Sequence, residues 1–182
     1  VSDPDGADAI LTNPGGLSLL RTWETHLINT QMEDGGEGSA LLYTRPLVGP
    51  LSMGFGLEML RPPAPESLYA RVSMGLGLRL GQSLTMGMMW RHSEGEADAA
   101  VDGLDTVDLG VVWRPSSWFS FGAAIHELNN PSVGAISLPR RYELGMTVRP
   151  GTERVSLDGG VLVNEETSDF DATLRLRVEP IT

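Results

Sequence analysis

The stretch Leu84 to His92 repeats with period two. Leu84, Met86, Met88 and Trp90 fall on one face, all apolar; Ser83, Thr85, Gly87, Met89 and Arg91 fall on the other, small or polar with a charge near one end. Successive side chains of a strand point to opposite faces, so this text predicts a strand with one greasy face and one wet or crowded face. The pattern recurs through most of the chain. Leu51, Met53, Phe55, Leu57 and Met59 alternate with Ser52, Gly54, Gly56 and Glu58; Ala70, Val72, Met74, Leu76 and Leu78 alternate with Tyr69, Arg71, Ser73, Gly75, Gly77 and Arg79. Further strands are read over 106–114, 119–126, 142–149, 155–164 and 170–178, preceded by strand-like text from Arg21 to Leu27 and from Ser39 to Leu47. About ten strands result, joined alternately by short Gly/Pro turns and by longer polar loops. The turns are Val48-Gly49-Pro50, Gly81-Gln82, Pro115-Ser116 and Pro150-Gly151-Thr152; the loops are 32–38, 61–66, 92–104 and 127–139.

Two architectures alternate in this way. A soluble sandwich or lipocalin-like barrel buries its apolar face, whereas a transmembrane up-and-down barrel turns it to lipid. From Leu51 onward the apolar face carries essentially no mid-strand charge, and the opposite face holds Gly54, Gly56, Gly75, Gly77, Gly87, Gly110, Gly122, Gly145 and Gly160. Glycine is a poor choice for a solvated strand face but suits a place where backbones crowd or a sheet bends. The fold expected is therefore all-β: an antiparallel up-and-down transmembrane-type β-barrel over 21–182, with a short helical hatch over 1–20. In the hatch, Asp5 to Leu11 reads as a short helix with Asp3 or Asp5 as N-cap, broken by Asn13-Pro14-Gly15-Gly16. Ile10, Leu11, Leu17, Leu19 and Leu20 are too apolar for a free tail, so Asp8 to Leu17 is expected inside or against the barrel mouth.

Composition narrows the function classes. A net charge of −11 argues against a general nucleic-acid binder, and the absence of Cys excludes disulfides and Cys-based metal sites. The mean hydropathy of −0.07 is that of an ordinary soluble protein, but alternating lipid-facing and lumen-facing residues average to the same value. No run approaches the ~18 apolar residues of a transmembrane helix. No signal peptide is read at Val1; one that directs export is expected to have been removed or to lie outside this sequence.

Candidate chemistry is sparse. Charges on the glycine-bearing face, expected to point into the lumen, are Glu58, Arg79, Arg91, Asp108, Arg114, Glu143, Arg149, Asp158, Arg175 and Arg177, with Arg71 and Asp171 also on that face. They read either as a polar permeation path or as a lumen neutralised by its own cross-strand ion pairs. Trp23, Tyr43, Trp90, Trp113, Trp118 and Tyr142 lie near strand ends, where interfacial girdles form. His26, His92 and His126 stand apart, without metal-ligand spacing, and His126-Glu127 reads as a loop pair. No nucleophile elbow, phosphate loop or dinucleotide fingerprint is present, so no catalysis, cofactor or metal is expected.

The segment Ala7-Asp8-Ala9-Ile10-Leu11-Thr12-Asn13-Pro14-Gly15-Gly16-Leu17 resembles the A-x-A-x-x-x-N-P-A-G-L opening of FadL-like and PorV-like outer-membrane barrels, with Gly15 in place of the usual Ala. Leu109 to Pro115, Phe119 to Leu128, and Leu138-Pro139 before Tyr142-Glu143-Leu144-Gly145 are similar to later strands of that group. The resemblance implies a bacterial outer-membrane location, a fourteen-stranded barrel and an internal hatch carrying Asp8, Asn13, Pro14, Gly15, Gly16 and Leu17. It also implies a role in moving hydrophobic molecules or in protein secretion, with the lipid bilayer and a hydrophobic small molecule or a secretion-machinery protein as partners. The chain departs from the group in its strand number and in ending on Ile181-Thr182 without an aromatic terminus, so a fragment or a fused module is expected. The alternatives are a non-catalytic anchor or scaffold barrel fused to an enzyme such as a signal-peptide-peptidase-A-like protease, and a soluble ligand-binding β-barrel.

Overall fold

A computed structural model of the chain describes residues 2, 6–31, 35–61, 68–95, 102–133, 136–150, 155–166 and 170–178, the side chains of Val133, Ile136, Arg177 and Val178 excepted. Asp3, Asp5 and the turn residues 151–154 lie outside the described residues. Ten strands form one antiparallel sheet in simple up-and-down order: β1 (Glu24–Gln31), β2 (Glu37–Pro46), β3 (Leu51–Arg61), β4 (Tyr69–Leu80), β5 (Leu84–Gly95), β6 (Leu104–Ser116), β7 (Phe119–His126), β10 (Arg141–Val148), β11 (Val155–Asn164) and β12 (Phe170–Val178). The short strands β8 (Ser132–Val133) and β9 (Ile136–Ser137) make a separate hairpin between β7 and β10. β1 and β12 each pair on one side only, so the sheet does not close on itself.

The connections 47–50, 81–83, 117–118 and 149–154 join strands at one end of the sheet, and 32–36, 62–68, 96–103, 127–140 and 165–169 join them at the other; the three longest, 62–68, 96–103 and 127–140, all fall at the second end. These are called the turn end and the loop end below. β5 runs past His92 to Gly95, because His92 and Ser93 still pair with Asp105 and Leu104 of β6. Their charged, small-residue text reads as loop, but a strand already paired on both sides overrides local composition. The chain leaves β7 through Glu127, at φ 53°, and Asn130, at φ 49°. These left-handed conformations bend it back so that Leu128 N–H donates to the Val107 carbonyl, and Asn129 continues the edge with its side chain.

One face of the sheet is apolar and the other is small or polar. One face carries Met53, Leu76, Met88, Leu109, Ile125, Tyr142, Val163 and Phe170 as cross-strand partners in a single row running from β3 to β12. A second row of Leu51, Leu78, Met86, Val111, Ala123, Leu144, Val161 and Ala172 lies beside it. Much of this face is open: Leu76 is 55% exposed, Leu144 62% and Leu174 78%. The opposite face is the buried one, and its buried members include Ser52, Ser73, Thr85, Thr106, Asp108, Ser120 and Thr147.

Residues 6–19 occupy that inner face. In place of one short helix they form two 3-10 helices, η1 (Gly6–Ile10) and η2 (Pro14–Leu19). Each is too short to sustain α-helical nucleation, and Pro14 breaks the chain between them. Ala7, Ala9, Ile10 and Leu17, all fully buried, form the hydrophobic core with Leu42 of β2 and Met89 of β5. Full burial of Ile10 and Leu17 contributes about 1.5–3 kcal/mol each. The pair η1 and η2 packs against β1 to β6 and touches β7. Seven strands laid flat would span about 30 Å, while a six-residue 3-10 helix is about 12 Å long. The sheet therefore curls around this plug.

Candidate functional site

The plug is seated by glycines. Gly77 of β4 pairs with Gly87 of β5, which pairs with Gly110 of β6, and Gly54 of β3 pairs with Gly75 of β4. A Cβ at Gly54 would stand 2.7 Å from Leu17 Cδ2, and one at Gly77 2.5 Å from Ser18 Oγ. At Gly87 it would overlap the Pro14 carbonyl, and at Gly110 the Asn13 side chain. The inner-face glycines of β3 to β6 are thus spaces that the plug fills.

Polar contacts then fix the plug in register. Asn13, fully buried, caps η2 by accepting from Gly15 N–H at 2.9 Å, and its Nδ2 donates to the carbonyls of Val111 and Ala123 at 3.2 and 3.3 Å. Ser18 and Ser52 hydroxyls bond at 2.7 Å, and Arg79 donates to the Ser18 carbonyl. Ala7 N–H donates to Glu24 on β1, whose neighbour His26 lies 2.9 Å from Asp8. Of the hatch residues read from sequence, Asn13, Pro14, Gly15, Gly16 and Leu17 are buried against the sheet, whereas Asp8 is exposed.

Toward the loop end, the plug's Leu11 and Thr12 form part of the wall of a cavity of about 270 Å³. Its other walls come from β4, β5, β6, β7, β10 and β11 and the connection after β7. A chain of ion pairs crosses it. Arg71 donates to Glu58 through two bonds, at 2.5 and 2.9 Å. Arg91 pairs with the fully buried Asp108 and donates from its other Nη to the Ile10 carbonyl at 2.8 Å. His126 sets Nδ1 2.9 Å from Asp108 and Nε2 3.3 Å from Glu143. Glu127 N–H donates to Asp108, and its carboxylate takes two bonds from Arg141, at 2.7 and 2.9 Å. Burying ions without partners is expensive, so this cluster survives because nearly every carboxylate oxygen in it meets a donor. Its chemistry is mutual neutralisation and attachment of the plug to the wall. Among the described residues no group of three or more His, Asp or Glu is placed to hold a metal ion.

The structure brings together only part of the charge set read from sequence. Glu58, Arg91, Asp108 and Glu143 join the cluster. Arg79 lies at the turn end against the plug, in a second cavity with Ser18, Pro50 and Ser52. Arg114 and Arg149 are half-buried at the turn end. Asp158 belongs to a hydroxyl cluster there: it accepts from Thr147 at 2.7 Å, and Thr147 in turn meets Ser2 at 2.7 Å. Arg175 is exposed on the edge strand β12, and the Arg177 side chain lies outside the described residues. His126 corrects the reading as a loop pair, since it closes β7 and is buried between two carboxylates. Parity was the available signal, because His126 shares its face with Gly122 and Ala124. Arg71 and Arg141 gain their roles from pairing. Arg71 lies directly opposite Glu58, and Arg141 directly opposite His126.

Compared with family models, with curated proteins and with solved structures, the chain matches none.

Proposed function

We propose that this chain is the wall of a bacterial outer-membrane β-barrel with an internal plug, serving transport or a secretion-associated role as FadL-like and PorV-like barrels do. The observation that carries the reading is the continuous, exposed apolar face from β3 to β12, which carries no charge in mid-strand. A monomer in water rarely exposes an apolar patch beyond a few hundred Å², whereas a lipid-facing barrel wall is built as such a belt. Trp23, Trp113 and Trp118 toward the turn end, and Tyr142 and Phe170 toward the loop end, stand exposed where interfacial girdles belong. The short-turn and long-loop ends support the same orientation in a bilayer. In the alternating order of ten strands β1 and β12 run antiparallel, so closure requires them to pair with each other or with an even number of further strands. The seat of Asn13 to Leu17 on the inner face supports the likeness of this segment to a hatch.

The test is fractionation and quenching. Expressed with a signal peptide, the protein is expected in the outer-membrane fraction, and it is expected to refold only in detergent or lipid. Quenchers attached to lipid tails should dim its tryptophan fluorescence. A monodisperse, detergent-free monomer whose tryptophans are untouched by lipid quenchers would sink the proposal and favour a soluble barrel.

A further inference from the structure

The inner face of the sheet is of two kinds. Along β1 to β6 it meets the plug, and Ile28, Ala40, Leu42 and Met89 there join Ile10 and Leu17 in an apolar core. Along β10, β11 and β12 the same face presents Arg141, Glu143, Thr147, Ser156, Asp158, Asn164, Asp171, Thr173 and Arg175, with Leu162 the one large apolar side chain among the described residues there. η1 and η2 make no extensive packing against these three strands. On this face a Cβ at Gly160 would meet no atom of the plug; its neighbours are Thr173 Oγ1 at 3.3 Å and the Leu144 carbonyl at 3.5 Å, both within the sheet. At the loop end the uncovered strip begins at the charged cavity, which Glu143 and Leu162 help to line. At the turn end it reaches the hydroxyl cluster of Ser2, Thr147, Ser156 and Asp158.

We infer that the plug is a fixed half-filling and that a water-lined passage for small polar solutes or ions runs beside it, along the inner face of β10 to β12. This rests on the membrane-barrel reading and gives it a substrate class. Asp171, Thr173 and Arg175 of this strip are exposed, and polar groups are kept out of apolar packing at little cost only where water reaches them. A hydrophobic cargo would have to leave those groups without hydrogen bonds, so the strip rejects it. The plug does not need to move. Its carbonyls at Ile10 and Ser18 are held by Arg91 and Arg79, and Asn13 bonds two strand carbonyls.

The chain has no cysteine, so single-cysteine variants report cleanly on water. Thr173→Cys and Gly160→Cys mark the proposed passage, Leu144→Cys and Leu174→Cys the outer face, and Ser73→Cys the buried inner face of β4. Each full-length variant is reconstituted in lipid vesicles and treated with a charged, membrane-impermeant thiosulfonate. Only the thiolate reacts, and burial in an apolar setting raises a thiol's pKa, so the passage positions should react at least about tenfold faster than the other three. Attachment at Gly160→Cys should also lower the ion conductance of the protein in a planar bilayer, whereas Leu174→Cys should conduct as before. If Leu144→Cys and Leu174→Cys react as fast as Thr173→Cys, the outer face is in water and the membrane reading itself has failed. If those two are protected but Thr173→Cys and Gly160→Cys are equally slow, the membrane reading stands and the passage is overturned. Fast reaction at Gly160→Cys with conductance unchanged overturns it as well, leaving a wet recess that leads nowhere.

Discussion

Gly87→Ala isolates the close approach of the plug from the general behaviour of strand glycines. On backbone entropy alone, alanine in a strand is favoured over glycine by roughly 0.5–1 kcal/mol. At Gly87 the new Cβ would overlap the carbonyl of Pro14 and stand 3.0 Å from Gly15 N. The obstacle is backbone, which cannot rotate aside as a long side chain would. Restoring ordinary van der Waals separation requires η2 to lift by about 1 Å or more. Asn13 already donates to Val111 and Ala123 at 3.2 and 3.3 Å, so such a lift breaks both bonds. Each is worth about 1 kcal/mol net, and overpacking adds about 1–3 kcal/mol, for a loss of about 3–5 kcal/mol. The loss is bounded by complete undocking of the plug, which exposes Ile10 and Leu17. Gly159→Ala, on the outer face between Met146 and Leu174, is the control for a strand glycine away from the plug, since its Cβ meets nothing within 4 Å. It should be neutral or slightly stabilising. The assay is urea unfolding of the refolded protein in detergent micelles, followed by tryptophan fluorescence and paired with hydrogen exchange of the amides from Ala7 to Leu17. Gly87→Ala should lower the midpoint and lose protection in that segment first. Unfolding within about 0.5 kcal/mol of the parent, with those amides still protected, would refute the close approach. Equal losses from both substitutions would attribute the effect to strand glycines in general.

Two further outcomes follow from the exposed apolar face and the buried cluster. Leu76→Arg puts a charge between Met53 and Met88 in the middle of the apolar row, and should cost about 2–4 kcal/mol on insertion into lipid, read as a fall in folded yield in vesicles. A change within about 0.5 kcal/mol would be the behaviour of an ordinary surface site in water and would count against a lipid-facing wall. Asp108→Asn leaves Arg91 without its carboxylate and His126 with Glu143 alone, and should cost about 3–5 kcal/mol in the same urea assay. The double variant Arg91→Met with Asp108→Leu should recover much of that loss, and a cost below about 1 kcal/mol for Asp108→Asn would mean that the cluster is solvated.

The sequence by itself determined the strands, their turns and the division of residues between two faces. Local rules suffice for that: a pleated backbone forces period two, and Gly/Pro text such as Val48-Gly49-Pro50 interrupts it. The apolar character of Ile10 and Leu17 and the break at Asn13-Pro14 likewise announced a compact segment with something to bury. Period two does not say which face is inside, since either assignment satisfies the same alternation. The curl of the sheet around residues 6–19 decided it, burying Ser73 and Asp108 and leaving Leu76 and Leu144 open. Partner choice was also tertiary. Arg91 meets Asp108 and Ile10, and His126 meets Asp108 and Glu143, because register and curl bring four strands and the plug to one point. Nothing within a few residues of any of them encodes that meeting. Gly87 and Gly160 read alike in sequence, each a small residue on an inner face. Only the path of the plug, which crosses β5, makes one a seat and leaves the other facing neighbours of its own sheet alone.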